Sequence, residues 1–120
     1  MERYKKVVGD FGEVLAQQYL IGKGYSILGV KVKSSHQEID IIAQYQEKIV
    51  FVEVKTRTTP EFSKAEETIN RDKLDNLKKA RYEQIVVHNY DPENTRGDLV
   101  VISINKIKKI ANIKHYKDVF

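Results

Sequence analysis

One stretch, Glu38 to Arg57, constrains the fold most, because charged residues interrupt two runs that otherwise have the composition of strands. β-branched and aromatic residues, which favour strands, are frequent in 39–45 and 48–56, and only two residues separate these runs. Asp40 lies in the first run and Glu53 in the second. Because an unpaired buried carboxylate is costly, this pair indicates where a functional site is to be sought.

A hairpin between the two runs would bring the carboxylates together. If 46–47 form a two-residue turn, the register that follows places Asp40 opposite Glu53 and Glu38 opposite Lys55. A four-residue loop about the same centre keeps this pairing. Opposed β-carbons lie roughly 4.5–5.5 Å apart, which is close enough for two carboxylates to bind one metal ion. A slip of one residue would send the two carboxylates to opposite faces of the sheet.

Length and composition predict one globular domain spanning residues 1–120, with 41% hydrophobic and 32% charged residues. Lys and Arg number 21 against 17 Asp and Glu, and the resulting net charge of +4 is compatible with a polyanionic partner. Cysteine is absent, which excludes disulfides and thiolate zinc sites. Neither a signal-like apolar segment nor an apolar run of about 20 residues occurs, so we expect no membrane partner and a cytoplasmic location.

Apolar residues at helical spacing predict a first helix over 4–21, with a stripe that would face a core: Val7, Val8, Phe11, Val14, Leu15, Gln18 and Tyr19. Glu13 lies away from this stripe, on a side of small residues with Gly9 and Ala16. Periodicity alone favours a solvated Glu13. Glycine within a helix costs about 1 kcal/mol relative to alanine. We therefore expect another part of the molecule to approach the backbone closely at Gly9 and Gly12.

The other elements follow from similar signals. We expect strands over 25–33, 99–104 and 107–116, a docked tail at 118–120, a short turn opened by the capping-box pattern at 63–66, and a second helix over 71–87 with Asn70 as its N-cap. Short links favour an antiparallel meander of the first three strands. The second helix is long enough for a crossover that makes the fourth strand parallel to a neighbour. The fold class is α/β, a mixed central sheet flanked by helices.

The charged pair suits a hard divalent cation. Mg²⁺ and Mn²⁺ prefer oxygen ligands and retain several waters, so Asp40 and Glu53 suffice when substrate phosphates supply the remaining ligands. Lys55, on the same face as Glu53, would orient the attacking water and offset charge on the phosphate. The alternative is an ordinary cross-strand ion pair between Glu38 and Lys55 on a solvated face.

Asp40, followed after twelve residues by Glu53-Val54-Lys55, resembles the motif of the PD-(D/E)XK nuclease superfamily. More closely, the chain resembles the bacterial YraN family, also called UPF0102, at the following positions: Gly12-Glu13, Ala16, Tyr19-Leu20, Gly24-Tyr25, Glu38-Ile39-Asp40, Phe51-Val52-Glu53-Val54-Lys55, Arg57, Lys73 and Ala80. This resemblance implies a restriction-endonuclease-like αβββαβ core, here with an extra C-terminal strand.

The resemblance also assigns roles. Asp40 and Glu53 would bind Mg²⁺ or Mn²⁺, Lys55 would be the catalytic lysine, and Glu13 would complete the catalytic set, which reverses the interpretation from periodicity. Three supporting roles are also expected: the hairpin register makes Glu38 a partner of Lys55, the place of Arg57 at the end of its strand suits a phosphate contact, and the resemblance makes Lys73 a second nucleic-acid contact. A solvated helix lysine is the alternative for Lys73.

The activity implied by the resemblance is metal-dependent hydrolysis of DNA phosphodiester bonds. Branched DNA is the expected substrate form, because the family is similar to archaeal Holliday junction resolvases. Resolving a junction requires two cuts, which implies a homodimer. Two other classes stay open: a non-catalytic nucleic-acid-binding module of the same fold, and a structural or protein-interaction domain.

Two departures from the family are Gln37, where a glycine is usual, and Gly97 in Arg96-Gly97-Asp98, where a phenylalanine is usual. The histidines have no ligand spacing, so we expect surface or capping positions for His36, His88 and His115. A basic C-terminal stretch either contacts phosphates or is a solvated edge strand: Lys106, Lys108, Lys109, Lys114 and Lys117.

Overall fold

The computed structural model describes residues 2–58 and 69–120. In this part of the chain the elements follow in the order α1 Glu2–Gly22, β1 Ser26–Val32, β2 Ile39–Tyr45, β3 Lys48–Thr58, α2 Arg71–His88, β4 Thr95–Asn105 and β5 Ile110–Tyr116. The predicted α/β class and αβββαβ core with an extra C-terminal strand are confirmed. β4 begins earlier than predicted, at Thr95, and β5 begins later, because 106–109 form a turn.

The strands form one mixed sheet in the order β1-β2-β3-β4-β5. β3 and β4 are parallel, and the other neighbouring strands are antiparallel. In the hairpin Tyr45 pairs with Lys48 and Ile41 with Val52, so the predicted register and two-residue turn are confirmed. The turn forms without glycine because Gln46 adopts a positive φ of 54°.

α1 packs on the sheet through its small residues, and of the predicted stripe Leu15 and Tyr19 pack against the core. Ala16 and Leu20 are fully buried, whereas much of the predicted stripe is exposed: Val7, Phe11 and Val14. The reason is the close approach of β3 at Gly12, where a side-chain β-carbon would overlap the Thr56 hydroxyl. The close contact expected at Gly12 is therefore confirmed. The one expected at Gly9 is wrong, since a β-carbon there would meet nothing within 4 Å.

α2 has the predicted start. The Asn70 side chain accepts a hydrogen bond from the Lys73 amide at 2.8 Å, and the helix ends at Asn89 in the left-handed conformation. The capping-box turn expected at 63–66 lies outside the described residues. Within 2–58 and 69–120, neither helix is both long enough and apolar enough to cross a membrane.

The sheet separates two apolar layers, which hold the helices on opposite faces. Residues buried on the α1 side include Ala16, Leu20, Ile41, Val52 and Val100. Those on the α2 side include Ile39, Phe51, Leu77, Ala80, Ile85 and Phe120. Both faces of β3 and β4 are thus covered, as expected for strands in the centre of a mixed sheet.

The docked tail predicted at 118–120 is confirmed. The amides of Val119 and Phe120 donate to the Gly97 carbonyl at 2.6 and 3.2 Å, and Arg81 donates to the Phe120 backbone oxygen. The Phe120 ring lies so close to Gly97 that a β-carbon there would overlap it. The aromatic missing from 96–98 is thus replaced locally by a ring from the tail.

Candidate functional site

A cleft of about 540 Å³ opens where α1, β2, β3 and the start of α2 meet. Its lining includes three carboxylates, Glu13, Asp40 and Glu53, and three cationic side chains, Lys5, Arg57 and Lys73. A second cleft of about 380 Å³ shares Glu53 and Lys73 with the first and adds Lys55. The structure therefore brings five of the predicted site residues into one cleft and places Lys55 in its neighbour.

Asp40 lies where the hairpin ladder ends. The last regular pair joins Ile41 to Val52, and beyond it the Asp40 carboxylate accepts a hydrogen bond from the Val54 amide at 2.8 Å. A side-chain acceptor thus replaces the backbone carbonyl that a continued ladder would supply. This bond holds the carboxylate of β2 against the backbone of β3.

Glu53 is the most buried acid of the cleft, with 8% of its surface exposed. One oxygen, Oε2, lies 3.0 Å from Lys73 Nζ. The other, Oε1, is buried and receives no hydrogen bond from any described residue. Burial first, then the negative charge of Asp40 and a hydrogen bond to it, raise the pKa of Glu53 to about 8, although Lys73 acts in the opposite direction.

Glu13 reaches the cleft from the other layer. Burial first and the charge of Asp40 second raise its pKa above the ordinary value, although Lys31 opposes this. The side chain is half-buried, so it is not the solvated carboxylate that periodicity favours. Gly9 lines the cleft one helical turn before it, and the open space beside Gly9 belongs to the cleft.

The cations surround the acids. Lys73 is paired with Glu53, which contradicts the alternative of a solvated helix lysine. Arg57 donates from Nε to Ser103 Oγ at 2.9 Å, which holds its side chain along β4. Lys5 was missed by the sequence analysis, yet the spacing of four from Lys5 through Gly9 to Glu13 is a signal that could have found it.

Glu38 is exposed and lies immediately before β2. Its negative charge adds a small increase to the pKa of Glu13 and of Lys31. Glu38 therefore belongs to the electrostatic surroundings of the cleft. Its pairing with Lys55 stays a prediction.

The described acids could supply some, but not all, of the ligands that a hard cation requires. Among the described residues, no three His, Cys, Asp or Glu side chains are arranged to bind one metal ion together. Asp40 and Glu53 nevertheless lie close enough to interact, and the buried Glu53 Oε1 receives no hydrogen bond from the part of the chain that the structure describes. This donor set suits Mg²⁺ or Mn²⁺, which bind through one or two carboxylates and complete their shell with water and phosphate.

A second polar cluster, on the α1 side, was not anticipated. His115 is not at the surface as expected: its Nε2 lies 2.7 Å from Asp98 Oδ2, and its Nδ1 lies 3.0 Å from the Tyr19 hydroxyl. Arg96 donates to both oxygens of Asp98 and to the Tyr25 hydroxyl. The available signal was Asp98 itself, an acid directly before a long apolar run.

Comparison with known proteins gives a consistent result. The sequence model described as "Uncharacterised protein family UPF0102" matches residues 12–102. A UPF0102 protein of Caldanaerobacter subterraneus subsp. tengcongensis is 38% identical over 97% of this chain and 96% of its own length. A UPF0102 protein of Caldicellulosiruptor bescii is 40% identical over 96% of this chain and 98% of its own length. One from Flavobacterium psychrophilum is 38% identical over 94% of this chain and 92% of its own length.

Proposed function

Because the chain belongs to the uncharacterised protein family UPF0102, whose description states no activity, we propose from its site that it is a metal-dependent endonuclease acting on DNA phosphodiester bonds. The observation that carries the proposal is Glu53, a buried carboxylate with one oxygen that receives no hydrogen bond from the described residues, beside Asp40 in a cleft lined by cations. The sequence expectation of a cytoplasmic location is retained.

In this proposal Asp40 and Glu53 hold one Mg²⁺ or Mn²⁺ ion, and Glu13 completes the acidic set. When bound, the ion polarises the phosphate and lowers the pKa of a coordinated water. Lys55 orients the attacking water and offsets negative charge on the phosphate oxygens. Glu38, immediately before β2, supports Lys55.

The cations bind the DNA backbone on either side of the scissile bond. Arg57 and Lys5 line the acidic cleft, along which phosphates of the same strand would pass. Lys73 supports Glu53 in the ion pair and lies close enough to the cleft to contact a phosphate as well. These contacts position the strand, and the acids then act on one bond.

The test is cleavage of plasmid and of a synthetic four-way junction in Mg²⁺ and in Mn²⁺. We expect Asp40→Asn to lose at least about 100-fold in rate, because it removes a charged ligand from the reacting centre. Asp75→Asn, an exposed acid on α2, is the matched control and should cut at the wild-type rate. Equal rates for wild type and Asp40→Asn in both metals would overturn the proposal.

Branched DNA is the substrate form that we propose. Two strands must be cut to resolve a junction, so the active form would be a homodimer with two clefts. Light scattering of the protein on an uncut junction, in EDTA, should then give a mass of two chains per junction. A strong preference for linear duplex, or one chain per junction, would restrict the proposal to a general endonuclease.

A second candidate, a nucleic-acid-binding module without turnover, is favoured by one observation. Lys73 Nζ lies 3.0 Å from Glu53 Oε2, so a cationic side chain already occupies one of the oxygens that a metal ion would use. Salt-dependent DNA binding without cleavage in either metal would select this candidate. Absence of binding, together with an unchanged melting temperature in Mg²⁺ or Mn²⁺, would instead favour a structural or protein-interaction domain.

A further inference from the structure

The turn between β4 and β5, residues 106–109, lies at the same edge of the sheet as the acidic cleft. β4 runs parallel to β3, and their register ends with Thr58 beside Ile104, just before this turn. Lys106 extends over α1, with Nζ 4.1 Å from the centroid of the Tyr4 ring. Since Tyr4 lines the cleft, the turn extends the cleft's cationic rim.

The turn is held in one shape by Asn105, the last residue of β4. Asn105 is 2% exposed, and its side-chain oxygen accepts hydrogen bonds from the amides of Ile107 and Lys108 at 3.1 and 3.0 Å. Lys109 completes the reversal with a φ of 55°. Side chains on such a turn are presented to a ligand at a smaller entropic cost than on a loose loop.

The chemistry of the turn is unusual for a solvated hairpin. Its lysines, Lys106, Lys108 and Lys109, are exposed, and between them Ile107 has 77% of its surface exposed. No Asp or Glu occurs from Leu99 to Lys117. The turn therefore presents an apolar tip between cations, with no acid close in the sequence to neutralise them.

This combination is suited to the minor groove of duplex DNA. The groove is about 6 Å wide and bounded by two rows of phosphates, and proteins that enter it combine cationic contacts with an apolar side chain. We infer that the turn binds the minor groove of the duplex beside the bond cut in the cleft. Lys106 and Lys108 contact phosphates, and Ile107 contacts the floor of the groove. The inference rests on the proposed function, since the duplex is the substrate.

The lysines are tested by binding of a fluorescent DNA duplex in EDTA, which prevents metal-dependent cutting, over a salt series. Each lysine on a phosphate adds about 0.9 to the slope of log K against log salt, so Lys106→Gln with Lys108→Gln should lower the slope by about 2. The matched control is Lys23→Gln with Lys48→Gln, two exposed lysines remote from this turn. The control should keep the wild-type slope.

Ile107 is tested separately, because its contribution carries no charge. Ile107→Ser should weaken duplex binding by roughly 3- to 10-fold, the loss of one apolar contact, without changing the salt slope. The control is Val87→Ser, at an apolar residue on α2 that is also largely exposed, and this variant should bind DNA as wild type does. Binding of Ile107→Ser equal to that of wild type would overturn the groove assignment.

The outcomes separate the two proposals. If wild type binds and cuts DNA but the turn variant matches its control, the inference is overturned and the proposed function stands. If wild type neither binds nor cuts, the proposed function fails, and the inference fails with it. The turn variants could also be tested on an RNA duplex, whose minor groove is wide and shallow. If they lose as much affinity for the RNA duplex as for the DNA duplex, the groove assignment is overturned.

Discussion

Two buried carboxylates, Glu53 and Asp98, stand on neighbouring parallel strands and behave in opposite ways. Glu53 pairs with Leu99 and Asp98 with Val52, so the two side chains point to opposite faces of the sheet. Asp98 is fully buried and accepts hydrogen bonds from Arg96, His115 and the Asp118 amide. Among the described residues, Glu53 has one cationic partner, and its Oε1 receives no hydrogen bond.

The number of hydrogen-bond donors around each carboxylate decides whether its pKa is raised or lowered. Burial raises the pKa of both acids, but for Asp98 the bonds from His115, Arg96 and the Asp118 amide outweigh burial and lower the pKa. For Glu53 burial and the neighbouring Asp40 prevail, and the pKa rises to about 8. A carboxylate with its donors supplied stabilises the fold. One without them retains the capacity to bind a cation, which is what the proposed function requires.

The largest expected effect is on stability, at Asp98. Asp98→Asn should cost about 3–5 kcal/mol of unfolding free energy, because it leaves the Arg96 guanidinium without its buried counter-charge. Urea unfolding at pH 7 measures this, with the exposed Asp75→Asn as the control. A loss below about 1 kcal/mol would mean that Asp98 is not the structural member of the pair.

Glu53→Gln should show the reverse pattern. Because the pKa of Glu53 rises from 4.5 to about 8 on folding, burial of this acid opposes folding at pH 7, and the neutral variant avoids that cost and should be at least as stable as wild type in unfolding free energy. Its cleavage rate should nevertheless fall at least about 100-fold, equivalent to about 2.7 kcal/mol of transition-state stabilisation. A variant that is unstable yet active would reverse the roles assigned to the two acids.

Gly97→Ala tests the tail that covers the Asp98 cluster. A β-carbon would overlap the Phe120 backbone and ring, so the tail must move, and we expect a loss of about 1–3 kcal/mol. Gly22→Ala is the control, since a β-carbon there meets nothing within 4 Å. Urea unfolding measures the stability of both variants. Equal stability would show that the tail can move away from position 97 without a cost in unfolding free energy.

The smallest effect, counted per pH unit, is a change of the unfolding free energy with pH. Glu53 has a pKa of about 8 when folded against 4.5 as its ordinary value, so between these limits the folded state binds more protons and stability falls as pH rises. The slope from one group is at most about 1.4 kcal/mol per pH unit. It should vanish in Glu53→Gln and weaken in Mg²⁺, which favours the ionised carboxylate.

The contribution of Asp98 to stability should depend on pH in the opposite direction, as measured by the same unfolding experiments. Because its folded pKa is lowered, its contribution is present above pH 3.8, its ordinary value, and is lost as pH falls through the lower folded pKa. Comparison of wild type with Asp98→Asn should therefore show their difference shrinking only in acid. A difference that shrinks towards alkaline pH instead would contradict the assignment.

Much of the fold could be predicted because its signals are local. The hairpin register follows from strand alternation and a two-residue turn, and it is confirmed as far as the pair of Ile41 and Val52, directly beside Asp40 and Glu53. The start of α2 follows from the capping side chain of Asn70. Each of these depends on residues close in sequence, so composition and spacing were sufficient.

The site was predicted less completely because its parts come from distant elements. Glu13 and Lys5 enter the cleft only because α1 turns its small residues to the sheet, where Gly12 meets Thr56. Periodicity defined two faces of that helix but not which of them would be covered. The resemblance to a family supplied Glu13, and nothing supplied Lys5.

The sequence by itself determined the elements, the register of the hairpin and the acidic pair that the register brings together, because these depend on alternation and short-range hydrogen bonding. Only the tertiary structure decided which face of α1 is buried, which donors reach Asp98 and which oxygen of Glu53 lacks one. The physical reason is that burial and donor supply depend on how closely separate elements approach. That distance is set by the size of side chains far apart in the chain.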